Sequence, residues 1–197
     1  MTLKFTVSGR IGKPVAEVFE AVVNPTELSR YFTTGGAEGR LATGTTVTWA
    51  FADYPGAFPV EVVEVERDRR IVLRWAADDQ GAGAYQTTVT MTFEAIEGGR
   101  TLVSITEEGW RETEAGQKAS YGNCGGWMQM ICALKAYKDH GINQTLASTT
   151  TMPASCAGLS DWPSTDQPRI TAVIGLRKPS GETTAGSSRA MPRNQRI

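Results

Sequence analysis

The stretch that most constrains the fold is GWMQMICALKAYKDH, the second half of a helix expected over residues 114–140. Trp127, Met130, Ile131, Leu134 and Tyr137 recur at i, i+3, i+4, i+7 and i+10. On a helix they form one apolar stripe about 120° wide. Gln129, Ala133, Lys135, Ala136 and Asp139 are expected to point elsewhere. His140 followed by Gly141 marks the stop, since a cation favours the last turn and glycine accepts the left-handed position beyond it. An amphipathic helix of this kind needs a surface to lie on, and the rest of the chain has to supply it.

The first half of the helix reads differently. Gly122, Gly125 and Gly126 each cost about 1 kcal/mol relative to alanine in a helix interior. Burying Trp127 removes about 150–250 Å² from water, worth about 4–6 kcal/mol, so packing can keep the helix continuous. Ala119, Ser120 and Asn123 extend the same stripe with small or polar side chains. A face that is bulky at one end and small at the other leaves space beneath it, and a pocket is expected there.

The surface is a sheet. Leu3, Phe5, Val7 and Ile11 alternate with Lys4, Thr6, Ser8 and Arg10, the pattern of a half-buried strand. Pro14 suits a helix start, Val15, Val18, Phe19, Val22 and Val23 give that helix its apolar face, and Asn24-Pro25 ends it before a second short helix over 26–31. From Gly44 onward the text is strand. Val47, Trp49 and Phe51 alternate, and Phe58 to Val65 changes parity at what reads as a bulge. Ile71, Leu73 and Trp75 line one face of the next strand, after a tight turn at Arg67-Asp68-Arg69. Tyr85, Thr87, Val89, Met91 and Phe93 line another, and Glu97-Gly98-Gly99-Arg100 is a hairpin signal before Thr101 to Trp110, with Val103 and Ile105 inward. The expected class is α+β: a curved antiparallel sheet wrapped around a long C-terminal helix, with two short helices after the first strand. Each inward aromatic taken alone simply fills a core; together, on a strongly curved sheet closed by one helix, they keep a cavity in view.

After Ile142 the grammar changes. Residues 1–142 read as one domain, and 143–197 as a flexible extension rich in Ser, Thr, Pro and Gly, in which only Ile170 to Leu176 suggests a short strand. A net charge of -1 argues against a nucleic-acid partner held by electrostatics. No signal peptide opens the chain and no apolar run reaches membrane-spanning length, so a cytoplasmic protein without membrane insertion is expected. Cys124, Cys132 and Cys156 are then reduced thiols.

Chemistry is sparse. His140, the single histidine, is explained by helix capping. No metal-ligand spacing or nucleophile motif can be assembled, so no metal, cofactor or catalytic residue is expected. Gly81-Ala82-Gly83 belongs to a hairpin loop rather than a phosphate cradle. Arg67, Arg69 and Arg70 make a solvated basic turn. Glu107-Glu108 is expected to be a solvated strand end; if one of the two looks inward, it offers a general base.

The segments PVAEVFEAVVNPTELSRYF (14–32), VEVVEVERDRRIVLRW (60–75), VTMTFEAIEGGRTLVSITEEGW (89–110) and GWMQMICALKAY (126–137) resemble the SRPBCC, or START-like, superfamily. Within it the chain is similar to bacterial proteins related to the C-terminal domain of the activator of heat-shock-protein-90 ATPase. The resemblance covers about residues 2–141. It departs from the usual pattern at Tyr31-Phe32, where a tryptophan-containing pair is common, and in the glycines of the closing helix. It implies a helix-grip fold with an elongated apolar cavity between sheet and helix. Members bind hydrophobic small molecules or lipids, and some catalyse reactions in the cavity.

The leading expectation is therefore a hydrophobic small-molecule or lipid ligand held without covalent catalysis. The candidate ligand-binding residues are Phe19, Phe32, Trp49, Phe51, Trp75, Tyr85, Met91, Phe93, Trp110, Ser120, Asn123, Trp127, Met130 and Ile131. One alternative is a polyketide cyclase-like or hydrolase-like enzyme using Glu107 or Glu108 with a tyrosine. The other is a protein-interaction module, with a second copy of the chain or a chaperone as partner. The threonine-rich outer face of the sheet, with Thr88, Thr90 and Thr92, does not supply the apolar patch that reading needs.

Overall fold

The computed structural model describes residues 3–54, 56–77 and 84–143. The short strand expected at 170–176, Cys156, the loop glycines at 81–83 and all but the first residue of the extension lie outside them. In chain order the elements are β1 (Leu3–Ile11), α1 (Val15–Val23), α2 (Pro25–Leu28), β2 (Gly36–Glu38), β3 (Thr46–Ala50), β4 (Ala57–Glu66), β5 (Arg70–Ala76), β6 (Gln86–Ile96), β7 (Arg100–Trp110) and α3 (Glu114–His140). The strands form one antiparallel sheet in the order β1-β7-β6-β5-β4-β3-β2. The curved sheet grips α3, the helix-grip architecture the resemblance implies.

Local chemistry sets the boundaries. Asn24 ends α1 and caps α2, its side-chain oxygen accepting from the Thr26 N–H at 3.0 Å. The parity change in β4 is a register shift between Val62 and Glu64. At the β6–β7 turn Gly98 and Gly99 have φ of 76° and 66°, the left-handed backbone that a tight hairpin demands of both central residues. β2 was not legible: its three residues, Gly-Ala-Glu, carry no alternation. Thr113 starts α3 by accepting from the Gly116 N–H at 3.1 Å, and Gly141 stops it at φ 68°.

The helix stays unbroken through its glycines because its other face is anchored. Trp127, Met130, Ile131 and Leu134 are buried as the stripe predicts. Ala133 is buried too, against expectation, because α3 sinks far enough into the sheet to cover an extra column of its surface. Lys135 and Asp139 also do not simply face water. The Lys135 ammonium donates to the Arg10 carbonyl at 3.0 Å and Asp139 accepts from the Gly12 N–H at 2.7 Å, tying the end of α3 to β1. Gly9 in the middle of β1 makes that approach possible, since a Cβ there would collide with the Ile131 side chain.

On the far side of α1, Arg40 grips Glu20 with two hydrogen bonds of 2.7 and 2.6 Å. The outer face of the sheet is polar, with hydroxyl pairs Thr6–Thr106 and Ser8–Ser104 bridging β1 and β7. Among the described residues no helix is long and apolar enough to cross a membrane.

Two predictions follow from this packing. Gly9→Ala is expected to destabilise the domain by about 1–3 kcal/mol through overpacking against Ile131. Gly125→Ala, whose Cβ meets nothing within 4 Å, should stabilise it by about 0.4–1 kcal/mol. Equilibrium urea unfolding reads both. Separately, the Arg40 guanidinium donating to Glu20 holds that carboxyl at about 2, below its ordinary 4.5. A lowered folded-state value gives stability that is present above pH 4.5 and lost as pH falls toward 2. The urea midpoints of wild type and Glu20→Gln should therefore differ slightly at pH 6, the pair being half-exposed, and converge across that window.

Candidate functional site

The inner faces of β5, β6 and β7 meet α3 at a carboxylate. Strand parity carries Val103 and Ile105 inward, and the next residue in that row is Glu107. Its cross-strand partner on β6 is Val89, with Thr87 two residues away on the same face and paired in turn with Trp75 of β5. Asn123 and Trp127 come down from α3, one turn apart.

Glu107 is fully buried, whereas Glu108 is exposed. The solvated strand end expected for this pair therefore holds for Glu108 alone. A buried carboxylate costs several kcal/mol unless its oxygens are satisfied. Here they are. Oε1 accepts from Trp75 Nε1 at 2.9 Å, Thr87 Oγ1 at 2.6 Å and Asn123 Nδ2 at 3.2 Å. Oε2 accepts from Trp127 Nε1 at 2.8 Å and again from Asn123 Nδ2 at 3.2 Å. With an indole N–H on each oxygen, this shell solvates the ionised carboxylate, which can only accept. Among the described residues no cation pairs with it.

Beside this cluster the grip is not filled. A recess of about 300 Å³ is lined by Tyr31, Phe32, Thr34, Phe51, Asp53, Trp75, Gly122, Asn123, Gly126, Trp127, Gln129 and Met130. A shallower hollow of about 530 Å³ shares Phe51, Trp75 and Asn123 with it and runs on past Tyr54, Phe58 and Gln86. The wall is aromatic. Trp127 stacks between Trp75, at 5.2 Å and 29°, and Phe32, at 5.5 Å and 26°. Phe51 meets Phe32 edge-on at 5.0 Å. On the helix side Gly122 and Gly126 lie one turn apart, and a Cβ at either would meet nothing within 4 Å. Their missing side chains keep the recess open to solvent.

Of the ligand-binding candidates, Phe32, Phe51, Trp75, Asn123, Trp127 and Met130 line this recess. The other eight do not. Trp49, Met91, Phe93 and Ile131 are buried in the core, Trp49 edge-on to both Phe32 and Trp75. Phe19 packs against Phe93 and faces a separate surface hollow beside α1. Trp110 is buried, Ser120 turns back to donate to the Gln117 carbonyl, and Tyr85 lies beneath the Arg111 guanidinium. The hollow therefore lies beside the middle of α3, from Gly122 to Met130, while Ile131, Ala133 and Leu134 beyond it pack into the core.

Glu107, Thr87, Gly122 and Gly126 were not among the candidates, nor were Thr34, Asp53 and Gln129. The signal for the first two was present: both sit at inward parity in otherwise apolar rows, and an inward polar residue is expected to have a partner. Nothing in the sequence brings Asp53 or Thr34 to α3. Among the described residues there is no group of three or more metal-ligating side chains, and His140 is exposed at the helix end. Arg69 and Arg70 pair with Glu66 and Glu64 of their own hairpin.

Replacing Glu107 by leucine would strand two indole N–H groups, a hydroxyl and an amide in a dry interior. An unfolding free energy lower by about 2–5 kcal/mol is expected, read by urea titration. A loss below about 1 kcal/mol would mean the shell is not doing what its geometry implies.

No curated protein matches the chain. Among solved structures, the protein SSP2350 from Staphylococcus saprophyticus is 26% identical, with a TM-score of 0.60 over 72% of this chain and 95% of its own. DynU16, from the dynemicin biosynthetic locus, is 23% identical with a TM-score of 0.60 over 71% of this chain and 48% of its own. The Aha1 dimer from Colwellia psychrerythraea is 18% identical with a TM-score of 0.56 over 71% of this chain and 98% of its own. These likenesses concern the fold. A family profile matches residues 13–139, from just after β1 almost to the end of α3. The chain belongs to the family of activator of Hsp90 ATPase homolog 1-like proteins.

Proposed function

We propose that the domain binds a hydrophobic small molecule or lipid, non-covalently, in the recess between α3 and the β3–β5 end of the sheet. One observation carries this reading: an aromatic-walled recess of about 300 Å³ kept open by two glycines on the closing helix. That volume is at the lower end of small-molecule pockets, and the contiguous hollow past Phe58 gives a longer ligand room to extend. The side chains at the back of the recess are locked by Glu107 before any ligand arrives. A preorganised wall reduces the entropy lost on binding.

The same geometry disfavours Glu107 as a general base. A base needs a lone pair within reach of the proton it removes, and both Glu107 oxygens are taken up by donors inside the wall. The exposed large apolar side chains, Tyr54, Tyr121, Met128 and Ile142, do not build a docking face on the polar outer side of the sheet. Binding in the recess thus has more physical support than catalysis or protein docking.

The test is a thermal-shift screen of single-chain lipids and flat, polyketide-like aromatics against wild type, Asn123→Leu and Gly126→Leu. At a ligand concentration about 100 times Kd, wild type should gain about 2.7 kcal/mol, a shift of several degrees. Gly126→Leu should lose most of that gain by filling the opening, with its own unliganded melting temperature equal to or a few degrees above that of wild type. Absence of any stabilising compound, or equal stabilisation of all three proteins, refutes the assignment.

A further inference from the structure

We infer that the ligand of the recess carries a positive charge, an organic ammonium group attached to an apolar body, and that Glu107 is its counter-ion. The inference rests on the recess being the binding site and adds the chemical class of what binds there.

The juxtaposition that carries it is a buried carboxylate solvated only by neutral donors, one side chain behind the wall of an aromatic recess. Trp75, Asn123 and Trp127, three of the four side chains donating to Glu107, also line that recess. Buried charges in proteins are ordinarily paired. Here the donors satisfy the oxygens' hydrogen-bonding capacity, but being neutral they leave the net charge in place. Its field reaches the recess through a single layer of side chains, and the buried carboxylate at its source is screened less than a surface charge would be.

The rest of the lining agrees in sign. Neither Lys, Arg nor His is among the described residues lining the recess, and Asp53 stands on its rim. Asn123 directs its Nδ2 at both Glu107 oxygens, so the amide must present its oxygen, an acceptor, on the other side. Tyr31 spends its hydroxyl hydrogen on the Ala21 carbonyl at 3.1 Å. Gln129 and Thr34 add neutral groups that can donate or accept, so the only charged side chain on the recess among the described residues is a carboxylate, set among aromatic rings. Aromatic rings are the apolar groups that attract a cation rather than repel it. An anionic ligand would meet no cationic partner there.

The experiment compares two probes of one shape: benzyltrimethylammonium and its uncharged carbon isostere, neopentylbenzene. Each is titrated into the wild-type protein with tryptophan fluorescence as the readout, at low salt and at 0.5 M salt. The cation is expected to bind at least tenfold more tightly than the isostere. Most of that preference should survive the salt, because the charge responsible is buried. In Glu107→Gln the ratio of the two affinities should fall to threefold or less, and a ratio that stays tenfold overturns the role of Glu107. Should that variant not fold, the wild-type comparison at 0.5 M salt still decides whether a buried charge attracts the ligand. Equal or tighter binding of the neutral probe overturns the charge assignment and leaves the recess as an apolar site. A preference abolished by salt likewise overturns it, since that marks surface attraction. Failure of both probes to bind overturns the reading of the recess as well.

Discussion

The site depends on the cost of keeping a carboxylate dry. Glu107 lies fully buried on the inner face of the sheet, with no cationic side chain paired to it among the described residues, and its ionised form is tolerable there only if its oxygens find donors. Those donors come from three elements: Trp75 from β5, Thr87 from β6, and Asn123 and Trp127 from α3, around Glu107 on β7. No two of them are close in sequence except the helical pair. Satisfying one side chain thus fixes the register of three strands against the helix and sets the orientation of two indole rings. Hydrophobic burial brings α3 onto the sheet, but it is not directional; the carboxylate specifies how the helix sits.

That arrangement also explains why the grip is solid at one end and open at the other. Towards its C-terminus α3 offers Met130, Ile131, Ala133 and Leu134, which interdigitate with the sheet, and Gly9 lets the helix lie close upon β1. Towards its N-terminus it offers glycines and an asparagine. The Glu107 shell keeps this thinner segment from collapsing onto Phe51 and Trp75, because doing so would break charge-assisted hydrogen bonds. A recess remains where apolar contact alone would favour closure. The aromatic stack of Phe32, Trp127 and Trp75 is its back wall rather than its contents.

Much of this was legible in the residues, and the losses have physical causes. Periodicity found α3, both hairpin turns and the β4 bulge, since each depends on local chemistry: a 3.6-residue stripe, paired glycines, a parity change. It missed β2, whose three residues have no pattern, and it misplaced Ala133, because how deeply a helix sinks depends on a surface it touches far away in sequence. The inward aromatics were correctly drawn together as a set, yet sequence could not tell the wall of a recess from the filling of a core. Phe51 and Met91 both alternate inward, yet the first lies beside open space and the second inside the packed core. Sequence alone offers Glu107 only as the base of an alternative enzyme, at a strand end expected to be solvated. Its parity pointed inward, but an acidic pair at a strand end is ordinarily solvated, and the four donors that reverse that expectation converge only in three dimensions.

Gly122 and Gly126 carry a last implication. They line the recess while belonging to neither the core nor the carboxylate shell, and each faces open space. The diameter of what is admitted can therefore be altered at these two positions without disturbing the machinery behind them. A larger residue at either would also raise the intrinsic helicity of α3. In this fold, then, narrowing the opening and strengthening the frame are the same substitution, and under the proposed binding role the glycines would trade rigidity for breadth of ligand choice.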